Sequence, residues 1–143
     1  MVKVCDIIRA LEAYAPPALQ EDYDNAGLQV GDPRTEISAA VVCLDVTEAV
    51  VEEAAARGAG LIVAHHPLLF KGIKSVTGST AAERILIKAI RRGIAIYAAH
   101  TNLDNVEGGV NFKMAEKLGL TNVRILDEMP SKLLKLVTFV PVK

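Results

Sequence analysis

Tryptophan is absent from this 143-residue chain, and it holds only three tyrosines and three phenylalanines. So few rings argue against the aromatic platform on which single-stranded nucleic acids stack. Charge of one sign is also missing. Sixteen Lys and Arg stand against seventeen Asp and Glu, a formal net charge of −1, so nothing invites a polyanion and nucleic acid is not an expected partner. Cysteine occurs twice, as Cys5 and Cys43, far apart and in no Cys-x-x-Cys pattern. That excludes a disulfide framework, and the expectation is two buried free thiols in a reducing compartment. No apolar run approaches the roughly 18 residues that a membrane-spanning helix needs. The first residues, MVKVCDIIRAL, reach an acid at Asp6 and lack the apolar core of a secretory signal, so the expected location is the cytoplasm. Histidine is scarce as well. There are three, and two of them, His65 and His66, are neighbours.

What the chain does have is enough apolar content, 51% by residue count, to bury the core of one domain. Val4, Ile7, Ile8 and Leu11 share one helical face, and Pro16-Pro17 stop that helix. A polar, glycine-punctuated stretch, EDYDNAGLQVGDP, reads as a loop. AAVVCLDV (39–46), LIVA (61–64) and IAIYAA (94–99) read as three short buried strands. Between them lie helical segments with capping-box spacing, Asp45 to Glu48 and Thr80 to Glu83, closed by Gly58 and Gly93. In the second, Ile85, Leu86, Ala89 and Ile90 are expected to face inward. A further helix over 109–118 ends at Gly119, and NVRIL (122–126) is a candidate fourth strand. The alternation predicts an α/β fold with a mainly parallel or mixed sheet and helices on both faces. The expected organisation is one lobe over 1–130, followed by a strand at 131–143 that opens a second, truncated module or returns to the sheet as an edge.

In parallel α/β sheets, sites form beyond the carboxyl ends of the strands. His65 and His66 leave one strand there, and His100 leaves the next; Asp104 follows four residues later. Three imidazoles and a carboxylate on one rim are a metal-site inventory. Adjacent histidines on an extended segment point opposite ways, so they are expected to serve two ions, with Asp104 bridging at the ~3.5–4 Å separation of two-metal sites. Alternatives stand beside this. His100 fits equally as a supporting hydrogen-bond partner or a general base. Asp104 fits as the N-cap of the next helix, Asp45 as a cap near the same rim, and Glu107 as a solvated acid. Asp24 and Asn25 either line the site and orient a group in it or cap their own turn. EGGVN (107–111) would offer backbone N–H groups to an anion, or merely loosen a turn. Lys71 and Lys74 would meet phosphate or be simply solvated.

Three stretches, YDNAGLQVGD, AHHPLLFKGIKSV and AAHTNLDNVEGGVN, together with the strand–helix pattern that connects them, resemble the GTP cyclohydrolase I type 2 homologs, the NIF-three-like family of dinuclear-metal proteins, over about residues 1–127. The resemblance implies an α/β fold of two related lobes, assembly as a toroidal hexamer, and two divalent ions facing an inner cavity. It implies that His65, His66 and Asp104 are metal ligands, with His100 a ligand or a supporting partner. The ions' identity is left open among Zn, Fe, Mn and Ni. Two departures stand out. Tyr23 occupies a position usually held by tryptophan. No histidine follows His100, so the histidine and glutamate with which the family completes its site from its C-terminal lobe are absent. KLVTFVPVK resembles the first strand of the PII-like insert domain of longer members. Three functions follow: a metal-dependent hydrolase acting on a nucleotide or similar heterocycle, a metal-binding or delivery protein without catalysis, and a scaffold whose ions staple lobes together.

Overall fold

Short runs rich in alanine and β-branched residues pair because each can bury both faces of its backbone. In the computed structural model, which describes residues 1–125, the strands β4 (Ala40–Cys43), β5 (Leu61–Ala64) and β6 (Ala95–Ala98) run parallel and in register, Ala40 beside Leu61 and Leu61 beside Ala95. A fourth strand, β2 (Gly27–Val30), adds antiparallel to β6 with a bulge between Leu28 and Val30, giving the order β2-β6-β5-β4. The sheet is therefore mixed. Its antiparallel member lies in the stretch expected to be loop, because glycine and Asx residues mask a four-residue strand. Gly31, which follows it, shows why glycine is needed there. Its φ is +106°, and a Cβ would come within 2.6 Å of the Ala95 Cβ on the neighbouring strand. A two-residue ladder, β1 (Val2–Lys3) with β3 (Glu36–Ile37), closes the periphery.

Side-chain alternation along β5 and β6 feeds two cores. Ile62, Ala64 and Ile96 face α2 (Glu48–Ala56) and α3 (Ala81–Arg92), where Val51, Ala54, Ile85, Leu86 and Ala89 bury. Leu61, Ala95 and Tyr97 face the other way, onto Val4, Ile7, Ile8 and Leu11 of α1 (Val4–Tyr14). Helices thus cover both faces of the central strands. The outer strand β4 is covered on one face only, and Val42 is 80% exposed. Ile90 is also outward, at 59% exposed, because α3 turns its Glu83–Ile85–Leu86–Ala89 stripe to the sheet and Ile90 falls outside that arc.

Helix ends follow local chemistry. Thr80 caps α3 by accepting from the Glu83 N–H, and Gly93 ends it in the left-handed region at φ 64°. The Glu83 carboxylate does not reach back to its cap. It accepts from the Thr77 and Ser79 backbone N–H groups instead, and those donations, the Thr77 amide foremost, hold it down at about 2 against the opposing effect of burial. For α2 the cap is Thr47, not Asp45. After β6 come α4 (Thr101–Asn105) and α5 (Val110–Lys117). Residues 122–125 form no strand, and 126–143, with the expected insert strand at 131–143, lie outside the described residues. Cys5 and Cys43 are free and half-buried rather than fully buried. Among the described residues no helix is long and apolar enough to cross a membrane.

Candidate metal centre

Backbone pairing aims the histidines. Beyond β5 the His65 and His66 N–H groups donate to the carbonyls of Cys43 and Leu44, so the neighbouring strand grips the chain where it bends out of the sheet. Beyond β6 the Ala99 N–H donates to the Ala64 carbonyl, which brings His100 to the same rim. The three rings cluster, with centroids 5.0 Å apart for His65 and His66, 5.2 Å for His65 and His100, and 5.7 Å for His66 and His100. Adjacent histidines therefore converge. The extended geometry that would splay them ends at Ala64, and residues 65 and 66 sit in a bend.

Each ring is held through its Nδ1. His65 Nδ1 meets the Ala99 carbonyl at 2.9 Å, His66 Nδ1 meets Asp45 Oδ1 at 2.8 Å, and His100 Nδ1 meets Asp24 Oδ1 at 2.8 Å. All three partners accept, so each Nδ1 donates, and in the neutral imidazole that tautomer leaves the lone pair on Nε2. One ring nitrogen from each histidine lies within 4.8 Å of one from each of the others. A triangle of 4.8 Å sides has its centre about 2.8 Å from each corner. A zinc–nitrogen bond of roughly 2.0–2.1 Å needs each ring to close by under about 1 Å. The triad can hold a metal ion. Histidine ligands oriented by a carbonyl or carboxylate on the far nitrogen are the usual support for such a site.

Asp24 is the more buried of the two carboxylate supports. Its side chain is 0% exposed. Oδ1 accepts from His100 Nδ1 and from the Asn25 N–H at 2.6 Å, while Oδ2 accepts from the Thr101 N–H at 3.0 Å and from the Thr101 hydroxyl. Burial pushes the carboxyl up, but the donations from Thr101 and His100 outweigh it and hold it below its ordinary value. Asp104 approaches from the side, its Oδ1 3.8 Å from His65 Nε2, too far for a hydrogen bond.

A family model described as Duf34/NIF3 (NGG1p interacting factor 3) matches residues 2–141. The chain belongs to the Duf34/NIF3 family. A relative from Halalkalibacterium halodurans, named GTP cyclohydrolase 1 type 2 homolog, is 43% identical over 136 residues, covering 94% of this chain and 37% of that protein. A relative of the same name from Clostridium perfringens is 43% identical over 129 residues, covering 90% and 49%. The solved structure of a Bacillus cereus protein related to NIF3 matches with a TM-score of 0.85 at 42% identity, covering 90% of this chain and 36% of that one. The chain thus spans less than half the length of these curated Duf34/NIF3 relatives.

Within this Duf34/NIF3 chain the structure brings His65, His66 and His100 together and sets Asp104 at their edge. Asp104 is not a cap: it lies inside α4, and Gly109 occupies the N-cap of α5. Asp45 orients His66 rather than capping α2. Its place at a strand end on the same rim was the signal for it. Asp24 both caps its own turn through Asn25 and orients His100, so the two roles coexist. The Gly109 N–H is spent on the Val106 carbonyl. Glu107, Lys71 and Lys74 are exposed.

Proposed function

We propose that this lobe binds divalent metal on the Nε2 atoms of His65, His66 and His100 with the Asp104 carboxylate, as the N-terminal part of a dinuclear, metal-dependent hydrolase of the Duf34/NIF3 family. The observation that carries the reading is the engagement of all three Nδ1 atoms by acceptors in a triad whose ring nitrogens lie, one from each histidine, within 4.8 Å of one another. Imidazole with carboxylate suits Zn, Fe, Mn or Ni. The donor set present fits one ion well and two only in part, in keeping with the lack of any histidine after His100. When bound, such ions lower the pKa of water and polarise a substrate oxygen.

The chain's own residues do the positioning. Asp24, Asp45 and the Ala99 carbonyl fix ring orientation and tautomer, and α4 sets Asp104 beside His65. The names of the relatives suggest a nucleotide or similar heterocycle as substrate. Assembly into a toroidal hexamer and a cytoplasmic location belong to the same proposal.

The test is Zn²⁺ titration and metal analysis of the chain beside His65→Ala, His66→Ala, His100→Ala and Asp104→Ala. Each histidine variant is expected to lose at least tenfold in affinity, with a smaller loss for Asp104→Ala. Equal metal content in all five proteins overturns the proposal.

A further inference from the structure

Two of the six aromatic side chains of this chain, Tyr23 and Phe70, are exposed beside the histidine triad. Tyr23 is 67% exposed and Phe70 is 45% exposed. The Phe70 ring meets His100 edge-on, with centroids 6.2 Å apart and planes at 89°, and it meets Tyr23 at 6.4 Å and 63°. These separations lie within the range of edge-to-face aromatic contacts. The three rings thus run outward from the centre in one array whose outer members are open to solvent. The two exposed rings adjoin each other, and Phe70 adjoins the imidazole cluster, so they form a contiguous aromatic surface at the site.

The array is braced. Tyr23 and Phe70 sit on two different loops, two hydrogen bonds join those loops next to them, and a third ties the Tyr23 segment to itself. Asn25 Nδ2 donates to the Leu69 carbonyl at 2.6 Å, the Leu69 N–H donates to Gln29 Oε1 at 2.7 Å, and Gln29 Nε2 donates to the Asn25 carbonyl at 2.6 Å. The staple ends at the residue before Phe70 and begins two residues after Tyr23. Gln29 belongs to β2, so the platform is anchored to the sheet itself. The buried core is complete without Tyr23 and Phe70.

We infer that Tyr23 and Phe70 form a preorganised stacking lip that takes the flat face of a planar heteroaromatic ring, of the size of a nucleobase, and so fix substrate choice at the metal centre. An aliphatic ligand would need only apolar area, which leucine supplies as well as phenylalanine. A planar ring also needs the face and edge of another ring, which leucine lacks. The inference rests on the proposed metal-dependent function for its chemical meaning, and its test is separable from the metal.

The experiment is proton NMR of the full chain, treated with EDTA and then repeated with Zn²⁺, titrated with guanosine 5′-monophosphate and with ribose 5-phosphate as a control that lacks the ring. The nucleotide is expected to shift the Tyr23 and Phe70 ring resonances upfield and saturably in both conditions, while ribose 5-phosphate leaves them in place. Tyr23→Leu and Phe70→Leu are each expected to weaken nucleotide binding about tenfold, and Phe70→Tyr to retain it. Both leucine variants should keep their Zn²⁺ content, since neither residue is a ligand. The inference is overturned if the nucleotide shifts neither ring, if ribose 5-phosphate binds as well, or if the leucine variants bind the nucleotide like the parent. Loss of Zn²⁺ binding in the parent with ring shifts intact would sink the metal reading and leave the lip standing.

Discussion

Replacing Asp24 by asparagine tests how far the centre depends on a residue that touches no metal. The carboxylate receives four donations, two on each oxygen: from His100 Nδ1 and the Asn25 N–H on Oδ1, and from the Thr101 N–H and hydroxyl on Oδ2. Asparagine keeps one accepting oxygen. Placed toward His100, it preserves both Oδ1 contacts and turns an NH₂ toward Thr101. The Thr101 hydroxyl can rotate and accept; its backbone N–H cannot. One hydrogen bond to a charged acceptor is lost and one N–H is stranded in a side-chain environment with no exposure, a cost of about 2–3 kcal/mol. A domain of this size has roughly 5–15 kcal/mol in hand, so the variant stays folded and can be assayed. His100 loses its anionic partner, which should weaken Zn²⁺ binding about 10- to 100-fold. Urea unfolding of the metal-free protein reads the first number, and Zn²⁺ competition with a chromophoric chelator reads the second. An affinity within twofold of the parent, in a protein shown to be folded, refutes the view that Asp24 organises the site.

Other expectations follow from single features. Zn²⁺ at one hundred times its dissociation constant should raise the unfolding free energy by about 2.7 kcal/mol, and EDTA should remove that gain; a melting temperature indifferent to both argues against binding to the folded chain. Glu83 titrates at about 2 in the fold against an ordinary 4.5, so its contribution is present above 4.5 and fades as pH falls from there toward 2. Glu83→Gln should flatten the acid limb of stability against pH in that window, read from urea midpoints, and an unchanged limb would discount the Thr77 and Ser79 donations. Gly31→Ala forces a side chain into a left-handed conformation and against Ala95, for a loss of about 3 kcal/mol by denaturant unfolding; near-neutral behaviour would mean that β2 is not seated as described. Ile96→Ala, at a position with no exposure, should cost about 2–5 kcal/mol, whereas Val42→Thr should fall within about 0.5 kcal/mol.

The central parallel strands β5 and β6 were legible because their side chains bury on both faces, and a run such as LIVA leaves little alternative to a central strand. Helix ends at Thr80 and Gly93 were legible for the same reason: a cap is local chemistry. Strand β2 was not, since four residues between glycines carry no period. The short helix α4 was hidden too, because His100-Thr-Asn-Leu-Asp reads as a polar loop until its backbone closes. For the site, the rim was foreseeable from strand ends, and so were the three histidines on it. The convergence of His65 with His66 was not, because strand alternation predicts divergence and only the bend after Ala64 cancels it. Pairings between distant segments, Asp24 with His100 and Asp45 with His66, are non-local facts that no spacing encodes.

Among the described residues β4 has a neighbour on one side only, and it is this strand that holds the His-His bend through the Cys43 and Leu44 carbonyls and delivers Asp45 to His66. Edge strands fray first. The amide protons of His65 and His66 should accordingly exchange with solvent sooner than those of Ile96 or Tyr97 at the middle of the sheet. Each such opening frees the His66 ring from its carboxylate while His100, tethered to the far side by Asp24, stays put. One of the three imidazoles therefore rides on the least constrained margin of the fold, and under the proposed metal-binding function the exchange of an ion should quicken as that margin peels.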